Sequence, residues 1–196
     1  MAHQINYNWK NSTLALHAGE ETKFADAHVT PIFATSTFSF PDADIGRLRF
    51  AGSDDGFIYT RLGNPTVQAA EKKIASLEGI DLLRKGKNVE GHAFSTGMAT
   101  IASSLLALTN PNDVILATNP VYGGTNYLMN GILKNFEVKT KFIKTGGEEG
   151  IENVKQENDQ KIKILFLESP ANPNLCVSDI EELTKIAKER NWLVIV

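Results

Sequence analysis

Phe94-Ser95-Thr96-Gly97-Met98-Ala99-Thr100 takes a short apolar run, His92 to Phe94, through small polar residues and directly into a helical pattern. Met98, Ile101, Ala102, Leu105 and Leu108 recur on one face, and Asn110-Pro111 stops the run. The first N–H groups of a helix have no partners inside it, and Gly97, lacking a Cβ, lets a ligand come close to the main chain. The stretch therefore reads as strand, tight turn and anion-binding helix start. One charge–dipole contact contributes only about 0.3–1 kcal/mol, so such a cup needs other groups around it.

Working outward, strand and helix patterns alternate. Upstream, Asn64 caps a helix that has Pro65 in its first turn, Val67, Ala70, Ile74 and Leu77 on one stripe, and Gly79 at its end. Downstream, the patterns predict a strand over Val114–Ala117, a helix over Gly124–Asn135 and a strand over Val138–Ile143. A helix over Ile151–Gln156 and a strand over Ile162–Leu167 follow. Ser178 and Glu181 read as a capping box ahead of Ile180, Leu183, Ile186 and Ala187, and Trp192–Val196 as a last strand. This alternation implies an α/β fold with a mostly parallel sheet flanked by helices, and ligands belong at the carboxyl ends of its strands. Because the terminal strand has no turn, cap or polar tail after it, the chain is expected to be the front of a longer polypeptide, truncated after a core strand.

Residues 1–63 behave differently. Gly19, Pro31, Pro41, Gly46, Gly52 and Gly56 interrupt every periodic run, while Phe33, Phe38, Phe40, Phe50, Phe57 and Tyr59 call for burial. The segment reads as an N-terminal arm with short helices and no core of its own, contacting a neighbouring subunit. Residues 64–196 read as the first part of a large α/β domain. The segment from Leu82 to Gly91 reads as a surface loop.

Composition narrows the class. The chain has 196 residues, 42% hydrophobic and 22% charged, with a net charge of −3. No run of Lys and Arg interleaved with aromatics tracks a phosphate backbone, so nucleic acid is not an expected partner. The one cysteine, Cys176, excludes an intrachain disulfide framework, and no Cys/His spacing suggests a metal. Met1-Ala2-His3-Gln4-Ile5-Asn6 lacks a charged region leading into an apolar core, and no apolar run approaches the ~18 residues of a membrane span. No membrane partner and a cytoplasmic location are expected.

Three further stretches fall where ligands should gather. Asn119-Pro120-Val121-Tyr122-Gly123-Gly124-Thr125 puts an aromatic ring beside glycines. Glu168-Ser169-Pro170-Ala171-Asn172-Pro173 sets Asn172 between prolines that restrict the backbone. Tyr59-Thr60-Arg61 offers a hydroxyl and a bidentate fork suited to phosphate. Each has a plain structural alternative: Gly97 a tight turn, Tyr122 a packing residue, Asn172 a turn residue, Arg61 a surface ion pair. Cys176 reads as an inert small hydrophobe, and Lys144 as solvated. The combination, in this order and at similar strand ends, favours a site.

That combination, Ile58-Tyr59-Thr60-Arg61-Leu62-Gly63-Asn64-Pro65-Thr66 with Ser95-Thr96-Gly97-Met98, Val121-Tyr122-Gly123-Gly124-Thr125 and Glu168-Ser169-Pro170-Ala171-Asn172-Pro173, resembles the Cys/Met-metabolism family of pyridoxal-phosphate enzymes from about Leu14 to Val196. The family includes cystathionine γ-synthase, cystathionine lyases, methionine γ-lyase and the O-acylhomoserine sulfhydrylases. The resemblance implies the fold type I pyridoxal-phosphate transferase architecture and pyridoxal 5'-phosphate as cofactor. It implies that the Gly97 and Met98 amides hold the cofactor phosphate, Tyr122 stacks on the ring and Asn172 bonds the ring hydroxyl. Tyr59 and Arg61 would reach the phosphate of a neighbouring subunit in a homotetramer with shared active sites. Tyr122 and Tyr59 are the catalytic candidates, Tyr59 through the substrate amine or leaving group.

The resemblance further implies elimination or replacement at Cγ or Cβ of cystathionine, O-acylhomoserine or a related sulfur amino acid. The lysine that anchors the cofactor, the Asp that partners its ring nitrogen and the Arg that grips the substrate carboxylate are expected beyond Val196, so the 196 residues alone are expected to be inactive. Methionine γ-lyases commonly carry a cysteine where Gly124 stands, which favours the cystathionine and sulfhydrylase branches and leaves methionine γ-lyase as an alternative. Two other classes stay open. A nicotinamide dehydrogenase shares the alternation, although no G-x-G-x-x-G opens a helix here. A non-catalytic, phosphate-binding fragment is the other.

Overall fold

Val114–Thr118 (β1) is an unbroken run of apolar and small residues, buried at all five positions, as an interior strand of a parallel sheet requires. The structure is a computed structural model that describes residues 5–20, 24 and 26–196; residues 1–4 of the N-terminal stretch read for a leader lie outside these. The described chain divides into two compact units, residues 1–93 and 94–196.

In the second unit, helix α5 (Gly97–Leu108) precedes β1, and a helical segment then leads to β2 (Lys139–Ile143). Helix α7 (Gly147–Gln156), β3 (Ile162–Phe166), α8 (Ile180–Glu189) and β4 (Leu193–Ile195) follow. The four strands are parallel in the order β2-β1-β3-β4. The chain leaves β1 toward one side for β2 and returns to the other side for β3. The sheet therefore has a switch point between β1 and β3, where a crevice opens outside their carboxyl ends.

Alternation along the strands feeds two cores. Ile115 and Ala117 join Ile164 and Phe166 beneath Leu105 of α5 and Leu128, Met129 and Leu133. On the opposite face, Val114 and Leu116 pack with Ile162, Leu165, Val154 of α7, and Leu183, Ile186 and Ala187 of α8. Ile162 and Ile164, two apart, face opposite sides because the β1–β3 register shifts between them: Val114 pairs with Ile162 and Ile115 with Ile164.

Several expectations shift. The expected Gly124–Asn135 helix is a succession of pitches: α6 (Gly123–Tyr127), a π-helical turn over Leu128–Ile132 and a 3-10 turn over Leu133–Phe136. The cap of α8 lies one residue later than expected, with Asp179 accepting the Glu182 N–H at 3.0 Å. Ser178 is withdrawn from capping because its hydroxyl shares a buried 2.7 Å hydrogen bond with Thr145. Helix α7 begins four residues earlier than Ile151. His92–Phe94 forms no strand among the described residues: Phe94 is 47% exposed and the Ala93 N–H goes to the Glu71 side chain. A strand that short needs a ladder neighbour to define it.

The first unit holds α1 (Asn11–His17), α2 (Ala43–Phe50), α3 (Pro65–Glu78) and α4 (Ile80–Arg84). Asn64 caps α3 as expected, accepting the Thr66 N–H at 2.9 Å. The buried face of α3 is not the expected one, since Val67 and Ile74 stand 41% and 58% exposed while Ala75 and Ser76 are buried. Of the expected stripe Leu77 does pack inward, against Leu14, Ala18 and Ile80. The expected loop from Leu82 is helical to Arg84. The arm's aromatics pair among themselves, Phe38 with Phe57 at 5.3 Å and Phe40 with Phe50 at 6.1 Å between centroids.

Candidate functional site

Thr96 caps α5 by accepting the Ala99 N–H on its hydroxyl at 3.0 Å and the Thr100 N–H on its carbonyl at 3.1 Å. The Gly97 and Met98 N–H groups, at the first two helical positions, make no hydrogen bond among the described residues. A Cβ on Gly97 would meet nothing within 4 Å, so the approach to these amides is open. The helix supplies two free donors at the positive end of its dipole.

Met98 links this helix start to the loop after β1. A Cβ on Gly124 would lie 3.0 Å from Met98 Sδ and 2.8 Å from Cε1 of Tyr122, and Thr125 Oγ1 stands 3.9 Å from the same sulfur. The Tyr122 side chain is folded over Gly124 with 48% of the residue still exposed.

Glu168 joins that loop to the one after β3. Its Oε2 accepts the Tyr122 N–H at 2.9 Å, and its Oε1 accepts the Asn172 N–H at 2.8 Å. The Glu168 N–H donates in turn to the buried Thr118 hydroxyl at the end of β1, at 3.2 Å. The Asn172 side-chain amide makes no hydrogen bond among the described residues, and the Ser169–Pro170 and Asn172–Pro173 bonds beside it are cis. Gly97, Met98, Tyr122 and Asn172 thus form one chain of contacts, with the Tyr122 and Asn172 loops flanking the switch point.

Tyr59 and Arg61 belong to the first unit. Thr37 bridges Tyr59 as an antiparallel pair, and the Asn64 amide donates to the Phe33 carbonyl and to Thr60 Oγ1. The Arg61 guanidinium lies 5.6 Å from the centre of the Tyr59 ring, and no carboxylate pairs with it among the described residues. Among the described residues no cluster of three or more His, Cys, Asp or Glu could hold a metal, and no helix is long and apolar enough to cross a membrane.

In the sequence Glu168 has no role beyond its place in a motif, and Thr118 none at all. An acidic residue two positions past a buried strand is the available signal. Its partners were not legible, because they are main-chain amides 46 and four residues away.

Residues 12–196 match the family model described as Cys/Met metabolism PLP-dependent enzyme. An L-methionine gamma-lyase of Fusobacterium nucleatum subsp. nucleatum is 40% identical over 185 residues, covering 94% of this chain and 44% of that protein. Sulfhydrylase FUB7 of Fusarium oxysporum f. sp. lycopersici is 36% identical over 200 residues, covering all of this chain and 42% of its own length. A crystal structure from Campylobacter jejuni, assigned as an O-acetylhomoserine (thiol)-lyase and carrying N'-pyridoxyl-lysine-5'-monophosphate, superposes with a TM-score of 0.83 at 29% identity. It covers 95% of this chain and 44% of that one. The chain spans less than half the length of these relatives.

Proposed function

The chain belongs to the Cys/Met-metabolism family of pyridoxal-phosphate-dependent enzymes, and from that premise we propose that it forms part of the cofactor site of a trans-sulfuration enzyme. The reaction is elimination or replacement at Cγ or Cβ of cystathionine, an O-acylhomoserine or a related sulfur amino acid. The observation that carries this reading is the linkage of the open α5 start, Tyr122 and Asn172 at the carboxyl ends of β1 and β3.

The residues present fit the cofactor. Two unpartnered amides above an open glycine suit a dianionic phosphate. The half-exposed Tyr122 ring offers a face for stacking, and the unengaged Asn172 amide can reach a ring hydroxyl. Gly97 and Met98 would hold the phosphate, Tyr122 would set the ring plane and Asn172 its rotation. When bound, the cofactor supplies an electron sink for the pair released as the substrate loses its α-proton. Tyr59 would move a proton at the substrate amine or leaving group, and Arg61 would grip the phosphate of a neighbouring subunit. Residues 1–63 act as the arm that delivers this pair, residues 64–196 as the front of the cofactor domain, and the assembly is a cytoplasmic homotetramer. No anchoring lysine is assigned within the 196 residues.

Gly124 favours cystathionine or O-acylhomoserine as substrate. The 40% identity to a methionine gamma-lyase supports methionine elimination as the second reading.

The test is made on the purified full-length protein. A visible absorption band abolished by borohydride is expected, and its absence refutes the reading. Assays of 2-oxo acid release and of thiol incorporation with cystathionine, methionine and O-acetylhomoserine then separate the two substrate readings.

A further inference from the structure

Glu168 stands two residues past the end of β3 with no cation to pair with: among the described residues no lysine, arginine or histidine lies within ion-pair distance. A half-buried acid in that position is ordinarily solvated or ion-paired. Here its two oxygens meet main-chain N–H groups of two different loops: Oε2 accepts from Tyr122 at 2.9 Å, while Oε1 accepts from Asn172 at 2.8 Å and lies 3.2 Å from the same Tyr122 nitrogen. Its own N–H is tied to Thr118 at the end of the adjacent strand. The carboxylate is therefore fixed to the sheet from behind and holds both loops in front.

Building on the cofactor reading above, we propose that Glu168 is a positioning residue, a carboxylate latch that fixes Tyr122 and Asn172 relative to each other across the β1/β3 switch point. The acceptor chemistry is specific. An ionised carboxylate presents only acceptors, so both donors are met by charge-assisted bonds. Glutamine keeps the length but puts an NH2 in place of one oxygen: at the Oε2 position it opposes the Tyr122 N–H and leaves only the longer 3.2 Å contact to Oε1, and at the Oε1 position it opposes the Asn172 N–H. Aspartate is one methylene too short to span both loops from a main chain pinned to Thr118. Holding the two main chains sets where the Tyr122 ring lies and where the Asn172 amide points. The latch thus pre-pays the ordering that cofactor binding would otherwise require.

Latching predicts a pattern that general stability does not. In the full-length apo protein, Glu168→Gln speeds amide exchange at Tyr122 or Asn172 by about tenfold, the equivalent of one such bond, while the sheet amides of β1 and β3 keep their rates. In the reconstituted protein it weakens pyridoxal phosphate binding by about tenfold and alters the induced circular dichroism of the bound cofactor. In a Tyr122→Ala background the same substitution weakens affinity much less, because the residue through which it acts is gone. Glu168→Ala, which removes both bonds, exceeds Glu168→Gln on each measure; the glutamine variant retains the fold if the alanine variant does not.

Unchanged exchange at both amides in Glu168→Gln overturns the proposal. So does an affinity loss that simply adds to that of Tyr122→Ala. If the wild-type protein takes up no pyridoxal phosphate, the cofactor reading fails by itself, while the exchange measurement on the apo protein still decides whether the latch exists.

Discussion

Gly124 and Tyr122 lie so close that a Cβ on the glycine would stand 2.8 Å from Cε1 of the tyrosine ring. The missing side chain is what allows the ring to fold back over its own loop beside Met98. Gly124→Ala should displace the ring, lowering stability by about 1 kcal/mol and changing the circular dichroism of the bound cofactor. Tyr122→Ala in the same molecule should relieve the stability cost. An unchanged melting temperature and cofactor spectrum in Gly124→Ala would show that the contact does not set the ring.

Arg61 has no carboxylate partner among the described residues and rests 5.6 Å from the Tyr59 ring centre. A guanidinium so placed remains available for a bidentate contact with phosphate. Arg61→Ala in the full-length protein should weaken cofactor affinity by about tenfold or more. Hybrids mixing Arg61→Ala subunits with Asn172→Ala subunits should recover activity if each site draws on two chains. Hybrids no better than the separate variants would argue for a self-contained site.

Thr145 and Ser178 satisfy each other's hydroxyls at 2.7 Å inside the protein. Thr145→Val leaves the Ser178 hydroxyl buried and unpaired, at a cost of about 1–3 kcal/mol. Ser178→Ala should cost a similar amount, and the double variant less than the sum of the two. Denaturant unfolding measures all three, and strict additivity would count against the coupling.

Asp54 accepts the Gly56 N–H at 2.9 Å and the Arg49 Nε–H at 2.8 Å. The Gly56 amide first, and then the Arg49 guanidinium, hold its pKa below the ordinary 3.8. The unfolded chain therefore binds the proton more readily than the folded one. Stability from this group is fully present above the unfolded value and is lost as pH falls through the lower folded value. Asp54→Asn should flatten this part of the acid limb in a plot of melting temperature against pH, below about pH 4. An acid limb running parallel to that of the wild type would exclude the contribution. The Arg49 side chain also donates to the Phe57 carbonyl at 3.1 Å, so the same arginine fastens the strip leading to Tyr59 and Arg61.

Much of the second unit was legible in the sequence because its local and global signals agree. The β1 run, buried at every position, reads as an interior strand, and Met98, Ile101, Ala102 and Leu105 of the periodic face pack on that sheet, while Leu108, at the end of α5, is exposed. The α3 cap at Asn64 was legible because it lies within two residues of the amide it serves. The α8 cap was misplaced by one residue because Ser178, an equally good capping residue, is claimed by Thr145, 33 positions away. His92–Phe94 is apolar enough for a strand, yet a strand is defined by its neighbour, and no periodicity reports whether one is there.

The family, the alternating α/β order and the residues suited to a cofactor were set by the sequence alone, since helical and strand periods, caps and motif spacing are properties of contiguous chain. Tertiary structure decided the strand order with its switch between β1 and β3, the register shift that sends Ile162 and Ile164 to opposite cores, and the convergence of Tyr122 and Asn172 on one carboxylate. Those depend on hydrogen bonds to main-chain amides far apart in sequence. Every residue but proline carries such an amide, so residue identity holds no record of which one will be bound.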